Sequence, residues 1–156
     1  MSKRLSFIQE AQENIKRQML EQCCDKEFFR DLNILTADKG DLLTEIEKVI
    51  GSLGLVLVIE VTGGPMPIIE QATEWNASIN IIETPTLARG ENSDGKTADV
   101  VLDAVLRAFA NGGYFVGKTI KMTPTESGIV IYTVEGTTDI ILKTKPCILG
   151  QKATII

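Results

Sequence analysis

"GKTIKMTPTESGIVIYTVEGTTDIILKT", residues Gly117 to Thr144, decides the fold. It contains three runs rich in Ile, Val, Thr and Tyr: "GKTIKMTP", "SGIVIYTV" and "TTDIILKT". β-branched and aromatic residues at this density suit a pleated, half-buried surface. The runs are separated by "TPTESG" and "EG", the lengths of hairpin turns, whereas parallel strands need crossovers of about a dozen residues or more. The stretch therefore predicts an antiparallel meander, with one of its turns at Glu135-Gly136.

Working back from there, "KTADVVLDAVLRAFANGG" sets Ala98, Val101, Leu102, Val105, Leu106 and Phe109 on one broad face and stops at Asn111-Gly112-Gly113. That spacing predicts a helix with this face buried. "ASINIIETP" reads as a strand stopped by Pro85, which has no N–H to give a sheet ladder. "LGLVLVIEV" reads as a well-buried strand closing at "TGGP". Residues 63–76 between them, "GGPMPIIEQATEWN", are punctuated by Gly and Pro and read as a long loop. Leu42, Leu43, Ile46, Val49, Ile50 and Leu53 form the stripe of an earlier helix, with Asp41 as its cap and Gly51 and Gly54 as its end. Near the N-terminus, Phe7, Ile8, Ala11, Ile15 and Met19 repeat at helical spacing, with Glu10, Glu13, Lys16 and Arg17 facing outward. "CCDKEFFRDLNILTADKG" carries Phe28, Phe29, Leu32, Ile34 and Leu35 without a period that assigns its state.

The sum is an α+β fold: a mostly antiparallel sheet of about four to five strands with about two to three packed helices. One domain is expected over residues 1–156, divided into an N-terminal helical extension (1–38), an α+β core (39–145) and a C-terminal tail (146–156). The tail, with Ile155 and Ile156 at its end, suits an added edge strand or a reach to a neighbour.

A chain of 156 residues is long enough to hide roughly 70% of the surface exposed by its unfolded form. With 44% hydrophobic and 24% charged residues, it has the balance of an ordinary globular protein. No run approaches the roughly 20 apolar residues of a membrane span, and the mixed polar N-terminus lacks the apolar core of an export signal. No membrane partner is expected. Cys23, Cys24 and Cys147 cannot all pair internally, which fits a reducing compartment. With no His in the chain and no C-x-x-C, the usual zinc and redox signatures are missing, so no metal or cofactor is expected. The 16 Lys plus Arg against 21 Asp plus Glu leave a net charge of −5. Without a basic stripe, sequence-specific nucleic-acid binding is not expected, although an acidic protein can line a channel along which DNA slides without sticking.

One motif invites a catalytic reading. Gly90 to Thr97, "GENSDGKT", fits G-x-x-x-x-G-K-[ST], a loop whose N–H groups cradle nucleotide phosphates. Lys96 would then meet the phosphates and Thr97 the Mg²⁺. Such a loop springs directly from a buried parallel strand, yet Pro85 and four further residues intervene, and Glu91 and Asp94 place carboxylates where the polyphosphate would sit. The alternative is a flexible helix entrance in which Asn92, Ser93 or Asp94 caps the next helix. Glu60, Glu70, Glu74 and Glu83 show no spacing that sets two on one face beside a nucleophile, so they are expected at the surface and no catalytic residue is assigned. Trp75, the sole Trp, reads as a packing anchor within its loop, with interface contact as the competing role.

Two stretches resemble a family. "INIIETPTLARGENSDGKTADVVLDAVLRAF" is similar to the middle of small phage tail proteins of the minor-tail and tail-terminator group. Glu83, Pro85, Arg89, Gly90, Gly95, Lys96, Ala98, Asp99 and Val100 stand at matching places, with Ala88 where an Asn is usual. "ADKGDLLTEIEKVIGSLGLVLVI" resembles the helix-to-strand entry of the same group. The resemblance covers about half the chain and implies a small α+β subunit of a homo-oligomeric ring. Such a ring ends tail growth and contacts the tail tube and head–tail connector proteins in the virion, after assembly in the host cytoplasm. It implies no catalysis. In a head-to-tail ring the loops at 62–76 and 84–96 would form the interface, with Arg89, Glu91, Asn92 and Trp75 as candidate contacts.

Overall fold

The computed structural model describes residues 6–22, 26–37, 42–84, 97–123, 125 and 128–143. Helix α1 (Phe7–Arg17) starts at a capping box, in which the Ser6 side chain accepts from the Gln9 N–H and the Gln9 side chain accepts from the Ser6 N–H. The chain continues through a π-helical turn (Gln18–Gln22) to the short α2 (Lys26–Arg30) and strand β1 (Ile34–Thr36). Helix α3 (Leu42–Leu53) then leads into β2 (Leu55–Gly63), and β3 (Ala72–Glu83) follows. Helix α4 (Ala98–Ala108), β4 (Val116–Thr123) and β5 (Val130–Ile141) complete the described elements.

The strands form one sheet in the order β1-β2-β3-β5-β4. β1 is parallel to β2, with α3 as the crossover between them, and every other pairing is antiparallel. The α+β architecture agrees with the sequence, and the sheet is mixed because of that one parallel pair.

Alternation along the strands sorts the side chains into two faces. Leu57, Ile59, Ile79, Ile81 and Val134 point to one face and meet Ile15, Met19, Phe29, Val101, Val105 and Phe115 in a single cluster. Phe29 and Phe115 are among the largest fully buried side chains, each contributing roughly 1.5–3 kcal/mol by leaving water. Ile15, Met19, Phe29 and Ile34 fall within the N-terminal helical extension at 1–38, so that segment contributes directly to the same core. The described residues of α3 are not part of this cluster. α3 lies against β2, whose Val56 and Val58 point to the opposite face and are buried too.

Two buried glutamines fasten α1 to the rest. Gln12 accepts from the Val61 N–H at 3.0 Å, next to the register shift at the end of β2. Gln18 donates to the carbonyls of Ala108 (3.2 Å) and Gly112 (2.9 Å) and accepts from the Tyr114 N–H at 2.8 Å. It thereby satisfies backbone groups left open where α4 ends. The backbone of Gly113, at φ 111°, comes so near that a Cβ there would collide with the Gln18 amide.

Several expectations require correction. β3 begins at Ala72, so the loop expected over 63–76 is confined to 64–71, and Trp75 sits in a strand. Glu135-Gly136 is not a turn but the middle of the 12-residue β5. Gly136 lies opposite Gly117 where β4 shifts register, and a Cβ on Gly136 would overlap the Val116 carbonyl. The glycine serves a close backbone approach rather than a reversal. Gly51 lies inside α3, which runs on to Leu53. The N-cap of α4 is Thr97, in extended conformation and without a side-chain cap bond, whereas the expected caps Asn92, Ser93 and Asp94 lie outside the described residues. Leu106 is 39% exposed instead of buried, and Glu83 is fully buried instead of superficial. Asp41, Pro85, the three cysteines and the tail at 146–156 lie outside the described residues.

Candidate subunit interface

Of the residues expected at a subunit contact, Arg89, Glu91 and Asn92 lie outside the described residues, as does the phosphate-loop match up to Lys96. Trp75 is described and half-buried. Its indole N–H donates to the Pro65 carbonyl at 2.6 Å, and its ring meets Phe7 edge-on with centroids 5.3 Å apart. Gly64 runs against the same ring. The indole thus ties the 64–71 loop and the start of α1 to β3, an arrangement suited to an amphipathic aromatic.

Beyond Pro65 the loop exposes apolar side chains. Met66 is 87% exposed, and Ile68 and Ile69 are each 56% exposed. A bridge between Ile69 and Leu142, with the Glu70 N–H donating to the Leu142 carbonyl at 2.9 Å, holds this loop beside the end of β5 and the exposed Ile141.

At another margin of the sheet, β4 is an edge strand exposed along its whole length. Its Ile120 and Met122 project to the helix-bearing side yet remain 45% and 65% exposed. Between them and α4 runs a groove of about 360 Å³ lined by Leu106, Phe109, Phe115, Lys118 and Ile120. Natural edges are usually blunted by charges, bulges or covering segments. β4 has the bulge, at Gly117/Thr119, and the charges Lys118 and Lys121, but keeps a row of apolar side chains in the open.

The face of the sheet turned away from the main core is polar over β3 and β5. The Asn80 side-chain amide donates to Glu60 (3.4 Å) and Ser78 (3.3 Å), and the Thr133 hydroxyl donates to Asn80 Oδ1 at 2.9 Å. Ser78 reaches Glu60 only at 3.5 Å, the outer limit of a hydrogen bond. The Glu60 carboxylate is shared between this hydroxyl and the Asn80 amide, so the row links β2, β3 and β5. Farther along, Glu74 lies directly across from Asp139, both exposed. Like charges in such a cross-strand pair repel.

Among the described residues, no three or more His, Cys, Asp or Glu are grouped to hold a metal ion, and no helix is long and apolar enough to cross a membrane. β3, the strand before the phosphate-loop match, is antiparallel to both neighbours. A phosphate loop instead follows a strand of a parallel sheet. Comparison with protein-family models and with curated proteins returns no match.

The β4 edge, the groove and the Glu74–Asp139 pair escape sequence reasoning. "GKTIKM" alternates apolar and polar residues as any half-covered strand does, and alternation does not reveal which strand has no outer neighbour. The cross-strand acids are 65 positions apart in the chain, a juxtaposition only register creates.

Proposed function

We propose that this protein is a non-catalytic structural subunit of a phage tail, a tail terminator or head–tail joining component that works as one copy in a homo-oligomeric ring. The observation that carries this reading is the open β4 edge, with Ile120 and Met122 exposed beside an apolar groove. A second exposed apolar element stands at the 64–71 loop. Two different apolar elements on one chain suit head-to-tail contacts, which close into a ring when the rotation permits. The resemblance of residues 79–109 and 37–59 to the tail-terminator group supplies the setting. The polar face of the sheet has a hydrogen-bonded ladder in place of a nucleophile and base, which favours a structural role over a catalytic one. The antiparallel surroundings of β3 weigh against the phosphate-loop alternative.

Removing the coding sequence from the source phage tests the proposal. Heads and tails should then accumulate unjoined, and the chain supplied in trans should restore joining. Complete particles with tails of normal length in its absence would refute the assignment.

A further inference from the structure

β5 has an open edge of its own. Its ladder with β4 ends at the pairing of Val116 with Thr137, while β5 runs on to Ile141. The chain ahead of β4 does not extend that ladder: the Tyr114 N–H donates to Gln18, and the Tyr114 carbonyl accepts from the Thr138 hydroxyl at 2.6 Å. On the β3 side, the Glu70 N–H donates to the Leu142 carbonyl. Successive residues of a strand turn their backbone groups to alternate sides. Asp139 and Ile141 therefore direct theirs away from β3, where no backbone group among the described residues pairs with them.

This stretch of edge lines a cavity of about 540 Å³, within the range that takes a ligand. α1 adds Phe7, Glu10 and Ala11 to the lining, and the π-helical turn that follows adds Gln18 and Gln22. π-Helical turns are rare and concentrate at functional sites. Asp139 and Lys143 bring opposite charges to the sheet side of the cavity, whereas Glu10 on α1 has no ion-pair partner among the described residues.

We infer that this cavity takes up an extended segment of another protein, which adds a short strand to β5 at Asp139 and Ile141 and lays a Lys or Arg side chain along Phe7 and Ala11 toward Glu10. Two features select that occupant. Backbone donors and acceptors recurring at every second residue, roughly 7 Å apart, match an extended peptide, as in other sites of strand addition. Apolar Phe7 and Ala11 beside an unpaired carboxylate suit a cation on a long aliphatic stem. The contact uses neither the α4–β4 groove nor the exposed side chains of the 64–71 loop, so it stands apart from the ring assignment.

Amide hydrogen exchange followed by NMR tests the contact. The probe is the capped heptapeptide Thr-Val-Thr-Lys-Thr-Val-Thr, compared with a version carrying Glu in place of Lys and a version methylated at every backbone nitrogen. In the free chain the Asp139 and Ile141 amides should exchange readily, and the Lys peptide should slow them at least about tenfold. The Glu and N-methylated versions should give no protection. Glu10→Lys, at an exposed position, should keep the wild-type circular dichroism spectrum and switch the preference from the Lys peptide to the Glu peptide. Unchanged exchange of these two amides with the Lys peptide overturns the inference, as does equal protection by the N-methylated version or an unchanged preference in Glu10→Lys. Full protection already present in the free chain also overturns it, because the chain itself would then fill the edge.

Discussion

Gln18 makes three hydrogen bonds from one buried amide, two to carbonyls at the end of α4 and one to the Tyr114 N–H. Gln18→Ala would leave these groups without their side-chain partner, beside the cavity that Gln18, Gly113 and Tyr114 line. The expected loss is about 2–3 kcal/mol, or roughly 5–10 °C in Tm, readable by thermal unfolding followed by circular dichroism. A loss within error of zero would mean that water replaces the amide without penalty. Thr36 presents the opposite case. Its hydroxyl is buried and has no hydrogen-bond partner among the described residues, so Thr36→Val, which keeps the shape and deletes the orphan group, should raise stability by about 1 kcal/mol in denaturant titration. At Gly136 the nearest obstacle is backbone, the Val116 carbonyl, which cannot rotate away. Gly136→Ala should therefore destabilise by about 3 kcal/mol or more. A near-neutral result would show that β4 can shift outward freely at its bulge.

Among the elements, those defined by local period are legible in the sequence. α4 and β2 follow directly from apolar spacing, because a buried helical stripe or a continuous Val/Leu/Ile run has few other uses. β1 is not legible: its three residues gain their strand identity only from the parallel pairing with Leu57, Val58 and Ile59, a non-local fact. Glu135-Gly136 reads as a turn because glycine marks both tight turns and close backbone approaches, and only the facing Gly117 decides between them. Leu106 belongs to the helical stripe by spacing, yet α4 lies against β3 and β5, and Leu106 lines the groove beside β4. The candidate interface is correspondingly less visible than the fold, with Trp75 being the one expected contact residue among the described residues. At this scale β4 carries a separable prediction. Ile120→Thr, at an exposed edge position, should leave the unfolding free energy within about 0.5 kcal/mol of the wild type while reducing incorporation into particles. Equal incorporation would remove the edge strand from the interface.

For the whole molecule, the proposed ring role has to reconcile an acidic balance with two exposed apolar regions, the β4 edge and the 64–71 loop. The net charge of −5 gives copies a general mutual repulsion. The same account predicts that Mg-ATP titrated into the protein in a calorimeter gives no micromolar binding, in the wild type or in Lys96→Ala; saturable binding lost with Lys96 would instead favour the phosphate-loop reading of Gly90 to Thr97. The most direct test of the central claim is an antibody blot across a density gradient of particles from the source culture. The account predicts that the chain co-sediments with intact tails in a fixed small number of copies per particle. Its absence from every particle fraction would contradict a structural role in the tail.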